Sequence, residues 1–509
     1  MLRLSAQSDK YLASDIFLFF SRLSNLMKDG KNKGVGVLDE VGGVMRSMYI
    51  KMVPSYGNSF FFTIGIYLLE LFMILAITGM VMLIFGPYWW DITPIGTFFR
   101  SVHLWAAEAF VTLMFIHLFV NFSTSAFKKK KLVWVVGSAM LFLVLLQFAF
   151  GIGIEGGLLS QWNLKAGSDL WNGMGLGFWI NPMNVGAVVG WHVAIIPILL
   201  MGLMFLHYSL VKRKGLSKPY RNDIPYKMVY ADHKQLYRRM VYVAIIVLLF
   251  AVIFSSPYIP PLTISKASLS NPQMTAITFL NEFNYSSHTA HYMDTIDPYT
   301  FNTRNAYVTV PYDAYLNIAG TKNHEAALSA SPNESAYLNS AFAYFSGNGS
   351  ISAGLNSTNP AISMASELTV MAEHGTYEDV LQGETMSGLN ETYVIRFLAD
   401  TGALGNEARV YGLRLSQFGM LMVGGPPWAI QYWLVPYNLL EVSTTNIPWW
   451  SDLENGSISL IAFLILMAFP FIPYLNELPD KLKMYKLFWN RFTVPEMRGK
   501  RTVGKTGKR

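Results

Sequence analysis

The sequence predicts an all-α integral membrane protein, in which a four-helix bundle and two further transmembrane helices carry a large irregular external insertion. Hydrophobic residues make up 52% of the 509 residues and charged residues only 14%, a balance typical of membrane proteins. Six apolar stretches are long enough to cross a hydrocarbon core of about 30 Å. Four of the nine histidines lie, as two pairs, inside two of these stretches.

Each predicted transmembrane segment is an apolar run long enough for a membrane-spanning helix. The segments cover about 59–86, 102–123, 132–153, 187–211, 240–257 and 457–475. Residues 11–27 (YLASDIFLFFSRLSNLM) predict instead an amphipathic helix on the membrane surface, with no cleavable signal expected before it. The chain has no cysteine, which excludes thiolate iron–sulfur ligation, covalent c-type haem and disulfide bonds within it.

Basic residues predict the orientation in the membrane. Lys128 to Lys131 follow the second span, nine Lys and Arg residues lie within 212–239, and the tail beyond residue 475 is also basic. By the positive-inside rule these parts face the cytoplasm. We therefore expect a multi-pass protein with both termini cytoplasmic and residues 258–456 external.

The external segment has the opposite charge balance. Residues 258–455 hold 6 Lys and Arg against 17 Asp and Glu, whereas the rest of the chain holds 33 against 15. Its Ser-, Asn-, Ala- and Gly-rich middle, about 328–366, predicts an irregular solvated insertion. Six N-x-Ser/Thr sequons predict glycosylation: Asn284, Asn333, Asn348, Asn356, Asn390 and Asn455. Four histidines here lack metal-ligand spacing and are interpreted as surface residues: His288, His291, His324 and His374.

The membrane histidines predict two metal sites at different depths. His103 and His117 are 14 residues apart, and His192 and His207 are 15 apart, which on a helix is a rise of about 21–22 Å along broadly one face. A single histidine in a membrane helix often only hydrogen-bonds a neighbour, but an ionisable residue there is costly. Four at matching depths predict two six-coordinate haems. His103 and His192 would bind the outer iron, and His117 and His207 the inner one.

Glycines on two other spans repeat the histidine spacing. Gly65 and Gly79 in the first span, like Gly137 and Gly151 in the third, are 14 residues apart. A haem edge can pass close to a helix only where no side chain intervenes, so a glycine at each haem level has a steric reason. Close helix packing is the alternative explanation. The matched period favours a four-helix bundle that holds two macrocycles.

These features resemble cytochrome b, the diheme subunit of quinol-oxidising Rieske/cytochrome b complexes, over about 59–258. Arg100 precedes His103 by three residues (RSVH), as does a family arginine that pairs with a haem propionate. The stretch GIGIEGGLLSQW (151–162) stands where the family turns into its outer quinol-site helices. In WHVAIIP a proline follows His192 by five residues, and the 15-residue spacing is that of chloroplast-type members. The glycosylated insertion points to an archaeal respiratory (Sox-type) member in a plasma membrane.

The resemblance implies a function. Quinol would be oxidised at the outer face, one electron would pass to a Rieske iron–sulfur protein, and the other would cross the two haems to an inner quinone site. The chain would act as a subunit of this electron-transfer complex, not alone. Expected partners are the Rieske protein, terminal oxidase subunits, membrane lipid and quinone, with a homodimer within the complex left open and no nucleic acid expected.

A second stretch of resemblance, GPPWAIQYWLVPYNLLE, concerns the quinol site. Aligning its Leu-Val-Pro-Tyr with the family's Phe-Leu-Pro-Phe/Tyr places Gln431, Tyr432 and Trp433 on the family's Pro-Glu-Trp-Tyr motif. The family glutamate is proposed to take a quinol proton, whereas an amide cannot accept one. Glu155, Glu441 or a residue of a partner subunit are then the candidate acceptors.

The predicted segments follow from these assignments. In order they are a cytoplasmic N-terminal part with a surface helix (1–58), the four-helix diheme core (59–211), a basic cytoplasmic loop with the fifth span (212–257), the external glycosylated insertion (258–425), the quinol-site segment (426–456), and the sixth span with a basic cytoplasmic tail (457–509).

Two other classes of protein remain as alternatives. A diheme electron conduit without its own quinol chemistry would keep the histidines and glycines but would not need the segment around Gln431. A transporter or membrane-anchored surface glycoprotein is the other, but internal repeats and broken helices typical of transporters are not evident. The histidines are compatible with b-type haem or a modified a-type haem, since both accept two histidine ligands.

Overall fold

The structure, a computed structural model, describes residues 52–173, 179–215, 227–255, 258–291, 302–383, 389–413 and 448–489. The predicted surface helix at 11–27 lies outside these residues. So does the segment that contains Gln431, Tyr432, Trp433 and Glu441. The fold and the site are therefore built from the two histidine-bearing helices, their neighbours and the acidic segment.

Five of the described helices are long and apolar enough to cross a membrane. They are α1 (Phe60–Phe85), α3 (Pro94–Ser123), α5 (Lys131–Gly153), the helix of α7 and α8 (Val185–Arg213 as a span), and α9 (His233–Ile253). These helices correspond to the first five predicted spans. The prediction of an all-α integral membrane fold is confirmed.

Short elements connect the long ones, and their sequences explain where helices begin and end. α2 (Pro87–Ile92) starts after Gly86, whose φ of 79° ends α1. α3 starts at Pro94 because the Thr93 side chain accepts a hydrogen bond from the Gly96 amide, a standard N-cap. At Gly96 a Cβ atom would lie 2.1 Å from the Trp89 carbonyl oxygen, so only glycine fits this close turn. α4 (Ala126–Lys129) joins α3 to α5.

The transmembrane helices pack around one apolar core. It includes Leu71 of α1, Phe110 of α3, Leu141 of α5 and Val247 of α9. Two indole N–H groups tie helices together as well. Trp105 donates to the Phe254 carbonyl at 2.6 Å, and Trp134 donates to the Leu466 carbonyl at 2.7 Å, so backbone oxygens left over near helix ends are satisfied.

The fourth span contains a π-helical turn at its histidine. α7 (Val185–Gly190) continues through a π turn (Trp191–Ile195) into α8 (Ile196–Lys214). In the turn the Ile196 amide donates to the Trp191 carbonyl, five residues back, rather than to His192. The corresponding partner of the His192 carbonyl would be residue 197, a proline without an N–H. The His192 carbonyl accepts a hydrogen bond from the Gln147 side chain instead, at 2.7 Å.

The acidic segment is helical, which corrects the expected irregular insertion. After α6 (Leu158–Gly173) and α9, eleven short α-helices follow within the described residues up to 413. They are α10 (Ile264–Ser270), α11 (Pro272–Phe283), α12 (His288–His291), α13 (Val310–Ala319), α14 (His324–Ser329), α15 (Glu334–Ser346), α16 (Ile351–Gly354), α17 (Pro360–Glu373), α18 (Thr376–Gly383), α19 (Thr392–Asp400) and α20 (Ala403–Val410). We call the described residues 258–413 the helical domain.

The helical domain has its own hydrophobic core. α17, from the stretch expected to be irregular, is buried along almost its whole length, with Met364 and Leu368 fully buried. Phe279 and Phe397 pack against Tyr377. The composition misled the prediction because small Ala side chains fit tightly packed helices, and Ser can be buried when its hydroxyl donates to a backbone carbonyl, as Ser363 does to Gly354 at 3.2 Å.

Hydrogen bonds join the helical domain to the bundle. The Gln161 side chain donates to the Leu262 carbonyl at 2.9 Å and accepts from the Leu262 amide at 2.8 Å. The Val185 amide, at the first residue of α7, donates to the Leu389 carbonyl at 2.9 Å. Buried Arg396 of α19 adds two contacts with α6, because it donates a hydrogen bond to the Ser168 hydroxyl at 2.6 Å and forms an ion pair with Asp169 at 3.4 Å. The domain therefore rests on α6 and on the start of the helix that carries His192.

The last described segment is bent. α21 (Pro448–Ala468) ends at a short 3₁₀ turn (Phe469–Phe471), and a second short turn leads into α22 (Leu478–Lys481) and α23 (Lys486–Trp489). The apolar parts 457–471 and 475–488 meet at 71°. A sixth span over 457–475 was expected, and the described residues contain five candidate spans, or six if this bent pair crosses the membrane as one.

A small separate unit holds the two short strands. β1 (Met52–Pro54) pairs antiparallel with β2 (Met228–Tyr230), with Val53 opposite Val229. A 3₁₀ turn (Ser55–Asn58) follows β1, and its Asn58 side chain donates to the Tyr230 carbonyl at 3.1 Å.

Candidate functional site

Two imidazole rings from different helices face each other at one end of the bundle. His103 lies on α3 and His192 in the π turn before α8, and their ring centres are 6.3 Å apart. Two imidazoles that bind one metal ion from opposite sides through bonds of about 2.0–2.1 Å have ring centres about 6.3 Å apart. His103 and His192, the first pair, are therefore spaced for one metal ion between them.

His117 and His207 form a second pair further along the same two helices. They lie near enough to each other for charges on the two rings to interact. Among the residues that the structure describes, no group of three or more His, Cys, Asp or Glu side chains could hold a metal ion. Each pair can thus offer two protein ligands, and a metal bound there would need its remaining ligands from another source, such as a macrocycle.

Each of the four predicted glycines faces one of the four histidines. The distance from an added Cβ atom to the nearest imidazole carbon measures the room at each position. It is 2.8 Å for Gly151 and His192, 3.1 Å for Gly79 and His103, 3.3 Å for Gly137 and His207, and 3.8 Å for Gly65 and His117. The sequence analysis expected a macrocycle edge beside each of these glycines. In the structure, the group beside each glycine is a histidine ring. The glycine period matches the histidine period because the helices pack antiparallel with one glycine beside each ring.

Hydrogen bonds to Nδ1 orient the first pair. The Nδ1–H of His192 donates to the Gln147 carbonyl at 2.9 Å. Nδ1 of His103 lies 2.9 Å from the hydroxyl of Thr78, which itself donates to the Ile74 carbonyl at 2.8 Å and so accepts from the imidazole. A proton held on Nδ1 leaves the Nε2 lone pair free to bind a metal.

The glycines allow the histidine rings to approach backbone carbonyls of the neighbouring helices. A backbone carbonyl four residues before a glycine faces the histidine on the neighbouring helix in three cases: Leu75 for Gly79, Val133 for Gly137 and Gln147 for Gly151. His207 Nδ1 itself has no hydrogen bond in this structure. Because glycine has no Cβ, the ring can approach the helix backbone closely enough to reach that carbonyl.

Arg100 lies one turn before His103 but pairs with carboxylates of this chain. Its Nη1 atom is 2.5 Å from an oxygen of Asp91 and 3.9 Å from one of Glu155. The guanidinium also lies over the Tyr258 ring, 5.3 Å from its centre. The arginine expected to meet a haem propionate is therefore at the level of the first pair, with its charge shared by two acidic side chains.

The site fits haem better than any other metal group. The rings of the first pair match the separation needed for one iron, their tautomers present Nε2, and four glycine positions let the imidazole rings approach the neighbouring helices closely. Two nitrogen ligands on opposite sides are the arrangement used for a six-coordinate haem iron. A structural zinc site would require four ligands.

Three contributors escaped the sequence interpretation. Thr78 and Gln147 are polar residues within apolar spans, placed one residue before Gly79 and four before Gly151. Their positions close to these glycines could have marked them as residues near the histidines. Asp91 gave no signal, because it lies in a short helix, and only the fold brings it to Arg100.

The predicted glycosylation residues lie mostly at the surface of the helical domain. Asn284, Asn333, Asn348 and Asn356 are exposed. Asn390 is half-buried and its side chain accepts a hydrogen bond from the Thr392 amide at 3.1 Å. The side chain of Asn455 lies outside the described part. His288 and His374 are exposed, as expected, and His324 is half-buried 3.9 Å from Glu367.

Comparison with known proteins gives one family. The family model described as "Cytochrome b(N-terminal)/b6/petB" matches residues 108–267. That range includes His117, His192 and His207 and begins five residues after His103.

Relatives agree with this match. A cytochrome bc complex cytochrome b subunit of Chlorobaculum thiosulfatiphilum is 29% identical over 197 residues, which are 33% of this chain and 45% of that protein. A cytochrome b6 of Heliobacterium modesticaldum is 25% identical over 211 residues, 35% of this chain and 95% of the relative. A cytochrome bc1 complex cytochrome b subunit of Mycobacterium tuberculosis is 27% identical over 208 residues, 33% of this chain and 37% of the relative. The chain thus spans less than half the length of the bc-type relatives.

Solved structures match the chain as well. A chain of a "Hyperthermophilic respiratory Complex III" aligns over 72% of this chain and all of its own length, with 20% identity and a TM-score of 0.37. At this level of similarity the alignment adds nothing to the assignment.

Proposed function

Because the chain carries a cytochrome b/b6 family domain, we propose that it is the diheme cytochrome b subunit of a respiratory complex that oxidises quinol. The observation that carries the proposal is the set of four histidine–glycine contacts between neighbouring helices. Each contact places one imidazole against a helix backbone. The four contacts occur at two levels, as two haem sites require.

In this proposal each pair of histidines binds one haem iron through Nε2. His103 and His192 would hold the outer haem, and His117 and His207 the inner haem. Gln147 and Thr78 keep the first pair in the tautomer that leaves Nε2 free. A bound haem supplies one-electron chemistry, and the low-dielectric bundle places two such groups across the membrane.

The proposed topology puts the first pair near the outer membrane face. Both termini would be cytoplasmic, the helical domain would be external and glycosylated, and the membrane would be a plasma membrane. The Rieske iron–sulfur protein would take one electron at the outer face, with terminal oxidase subunits, lipid and quinone as further partners. The acidic helical domain, joined to α6 and α7, would lie above the quinol site.

The electron conduit without quinol chemistry stays as the second candidate. One observation favours it, namely that Gln431 stands where the resemblance expects a proton-accepting glutamate. Under the first proposal Gln431, Tyr432 and Trp433 wall a quinone-sized pocket near the outer haem, and Gln431→Glu preserves or raises turnover with a changed pH dependence. Under the second, that change leaves electron transfer as it was.

A haem count tests the proposal. We expect pyridine haemochrome analysis of the purified complex to give two haems per chain. His103→Ala and His192→Ala should each remove one haem, and His117→Ala and His207→Ala the other, as seen by two distinct bands in reduced-minus-oxidised spectra. His374→Ala, an exposed histidine of the helical domain, is the matched control and should keep both.

Two results would contradict the proposal. A wild-type protein without haem absorption would end it. A variant of one pair that keeps both haems would show that its histidine is not a ligand. Reduction of the haems by added quinol, compared with reduction by dithionite alone, then separates the quinol-oxidising subunit from the conduit.

A further inference from the structure

A cluster of polar and charged side chains lies beside the first histidine pair. None of these side chains is a proposed haem ligand. Asp91 comes from α2, Arg100 from α3, Glu155 follows α5, and Tyr258 follows α9. The side chains of Arg100, Asp91 and Glu155 are 9%, 16% and 15% exposed. Four segments of the chain thus converge on one half-enclosed polar site.

The two carboxylates are not equivalent. Asp91 is in contact with the guanidinium at 2.5 Å, whereas Glu155 is 3.9 Å away. Glu155 is further held by the Gly157 amide, which donates to its second oxygen at 3.1 Å. One guanidinium faces two carboxyl groups at a partly buried site. Protonation therefore costs less free energy at Glu155, the carboxyl group that is farther from the guanidinium.

The cluster also lies at the level where quinol would react. Arg100 is three residues before His103, a rise of about 4.5 Å on a helix. Glu155 is four residues beyond Gly151, the glycine that touches the His192 imidazole. Both positions are one turn from the first pair, on the side away from the second pair.

We propose that Glu155 is the base that accepts a proton from quinol at the first histidine pair, and that Asp91 receives the proton next, with Arg100 keeping the two carboxylates within reach. This inference rests on the proposed function. It supplies the acceptor that Gln431 cannot be, because an amide does not take a proton at ordinary pH.

The proposed step balances as follows. A quinol loses two electrons and two protons and becomes a quinone. The hydroxyl facing this chain breaks its O–H bond, and its proton forms an O–H bond on Glu155. The two electrons would leave to two one-electron acceptors, the haem that His103 and His192 would hold and an external iron–sulfur protein, and the second proton would leave with the iron–sulfur protein. Glu155 then passes its proton to Asp91, and from there it leaves to the outside.

The ionisation of Glu155 supports its role as the first proton acceptor. Burial raises the pKa of Glu155 to about 7, although the positive charge of Arg100 opposes this and the nearby charge of Asp91 adds to it. Burial also raises the pKa of Asp91, against the effect of Arg100. A base that titrates near neutral pH can both take up and release a proton. Tyr258 is the other titratable group that faces the cluster.

The test uses Glu155→Gln in the purified complex with the full-length chain, with a short-chain benzoquinol and naphthoquinol as probes. At pH 8 we expect quinol-driven reduction of the outer haem to slow at least tenfold. The decline of the wild-type rate as pH falls through about 7 should also disappear. Reduction by dithionite and the haem content should not change. Glu155→Asp should restore part of the rate, and Glu477→Gln, an exposed carboxylate, should behave as wild type.

Asp91→Asn tests the second step. We expect a first turnover at the wild-type rate and a slower steady state, because the proton reaches Glu155 but leaves it slowly. A wild-type rate with an unchanged pH profile in Glu155→Gln would overturn this inference and leave the proposed function standing. Haems that no quinol reduces in the wild type would overturn both.

Discussion

The four glycines differ in how much room each leaves for the imidazole beside it. We expect an alanine scan to follow that order, with the largest loss of haem for Gly151→Ala, intermediate losses for Gly79→Ala and Gly137→Ala, and little loss for Gly65→Ala. The distances from the new methyl group to the ring rise from 2.8 to 3.8 Å in this order. Overpacking a core costs about 1–3 kcal/mol of stability. The loss of haem is measured as the haem-to-protein ratio of each purified variant.

A matched control comes from the same bundle. Gly202 on α8 has nothing within 4 Å of an added Cβ atom, so Gly202→Ala should keep both haems. Equal haem content in all five variants would mean that the glycines serve helix packing alone. A scan in which Gly65→Ala is the most harmful would contradict the geometry of the bundle.

At the scale of the element, the π turn of the fourth span depends on one side chain of another helix. Gln147→Leu removes the donor to the His192 carbonyl and leaves that buried oxygen without a partner, since Pro197 cannot supply an N–H. Such a group costs about 1–3 kcal/mol. We expect a lower melting temperature and a shifted band of the haem held by the first pair, measured by absorption spectroscopy, with the other band unchanged.

The double variant Gln147→Leu with Pro197→Ala tests whether the unpartnered His192 carbonyl causes the loss of stability. Alanine at 197 restores an N–H five residues after His192, the partner that a π turn uses, so the double variant should regain stability relative to Gln147→Leu. No recovery would show that the glutamine acts through packing and not through the carbonyl.

At the scale of the whole molecule, the helical domain should be more stable in acid than at alkaline pH. Burial raises the pKa of Glu282 to about 9, with the charge of Asp400 adding to the effect, and burial also raises the pKa of Glu367, Glu378 and Glu391. Between about 4.5 and 9 the folded domain holds protons that the unfolded chain has released. Stability is therefore complete below about 4.5 and is lost as pH rises, by up to about 1.4 kcal/mol per pH unit and proton.

Hydrogen exchange in the intact complex measures this directly. Protection of peptides from α11, corrected for the intrinsic pH effect, should fall as pH rises from 5.5 to 8.5. Glu282→Gln should flatten the dependence, whereas Asp313→Asn, which changes an exposed carboxyl, should leave it. Protection that increases with pH would contradict the buried protonated state of Glu282.

Prediction from sequence succeeded for the first five transmembrane helices, because length and hydrophobicity alone mark such segments. The periods of the histidines and of the glycines follow from rise and rotation along single helices, and their role at two haems stays a prediction. Composition misled for the helical domain, since a Ser- and Ala-rich stretch such as 360–373 gives no amphipathic signal strong enough to separate a packed helix from a solvated loop.

The sequence by itself determined the transmembrane spans, the four histidines and the glycines beside them, because length and hydrophobicity decide which segments enter a membrane and helical periodicity decides which side chains share a face. Only the tertiary structure decided that Gln147 holds His192, that the acidic segment is a helical domain seated on α6 and α7, and that Asp91 and Glu155 share Arg100. These contacts join residues 45 to more than 200 positions apart or lying on separate helices, and no local pattern records which distant segments a packed core brings together.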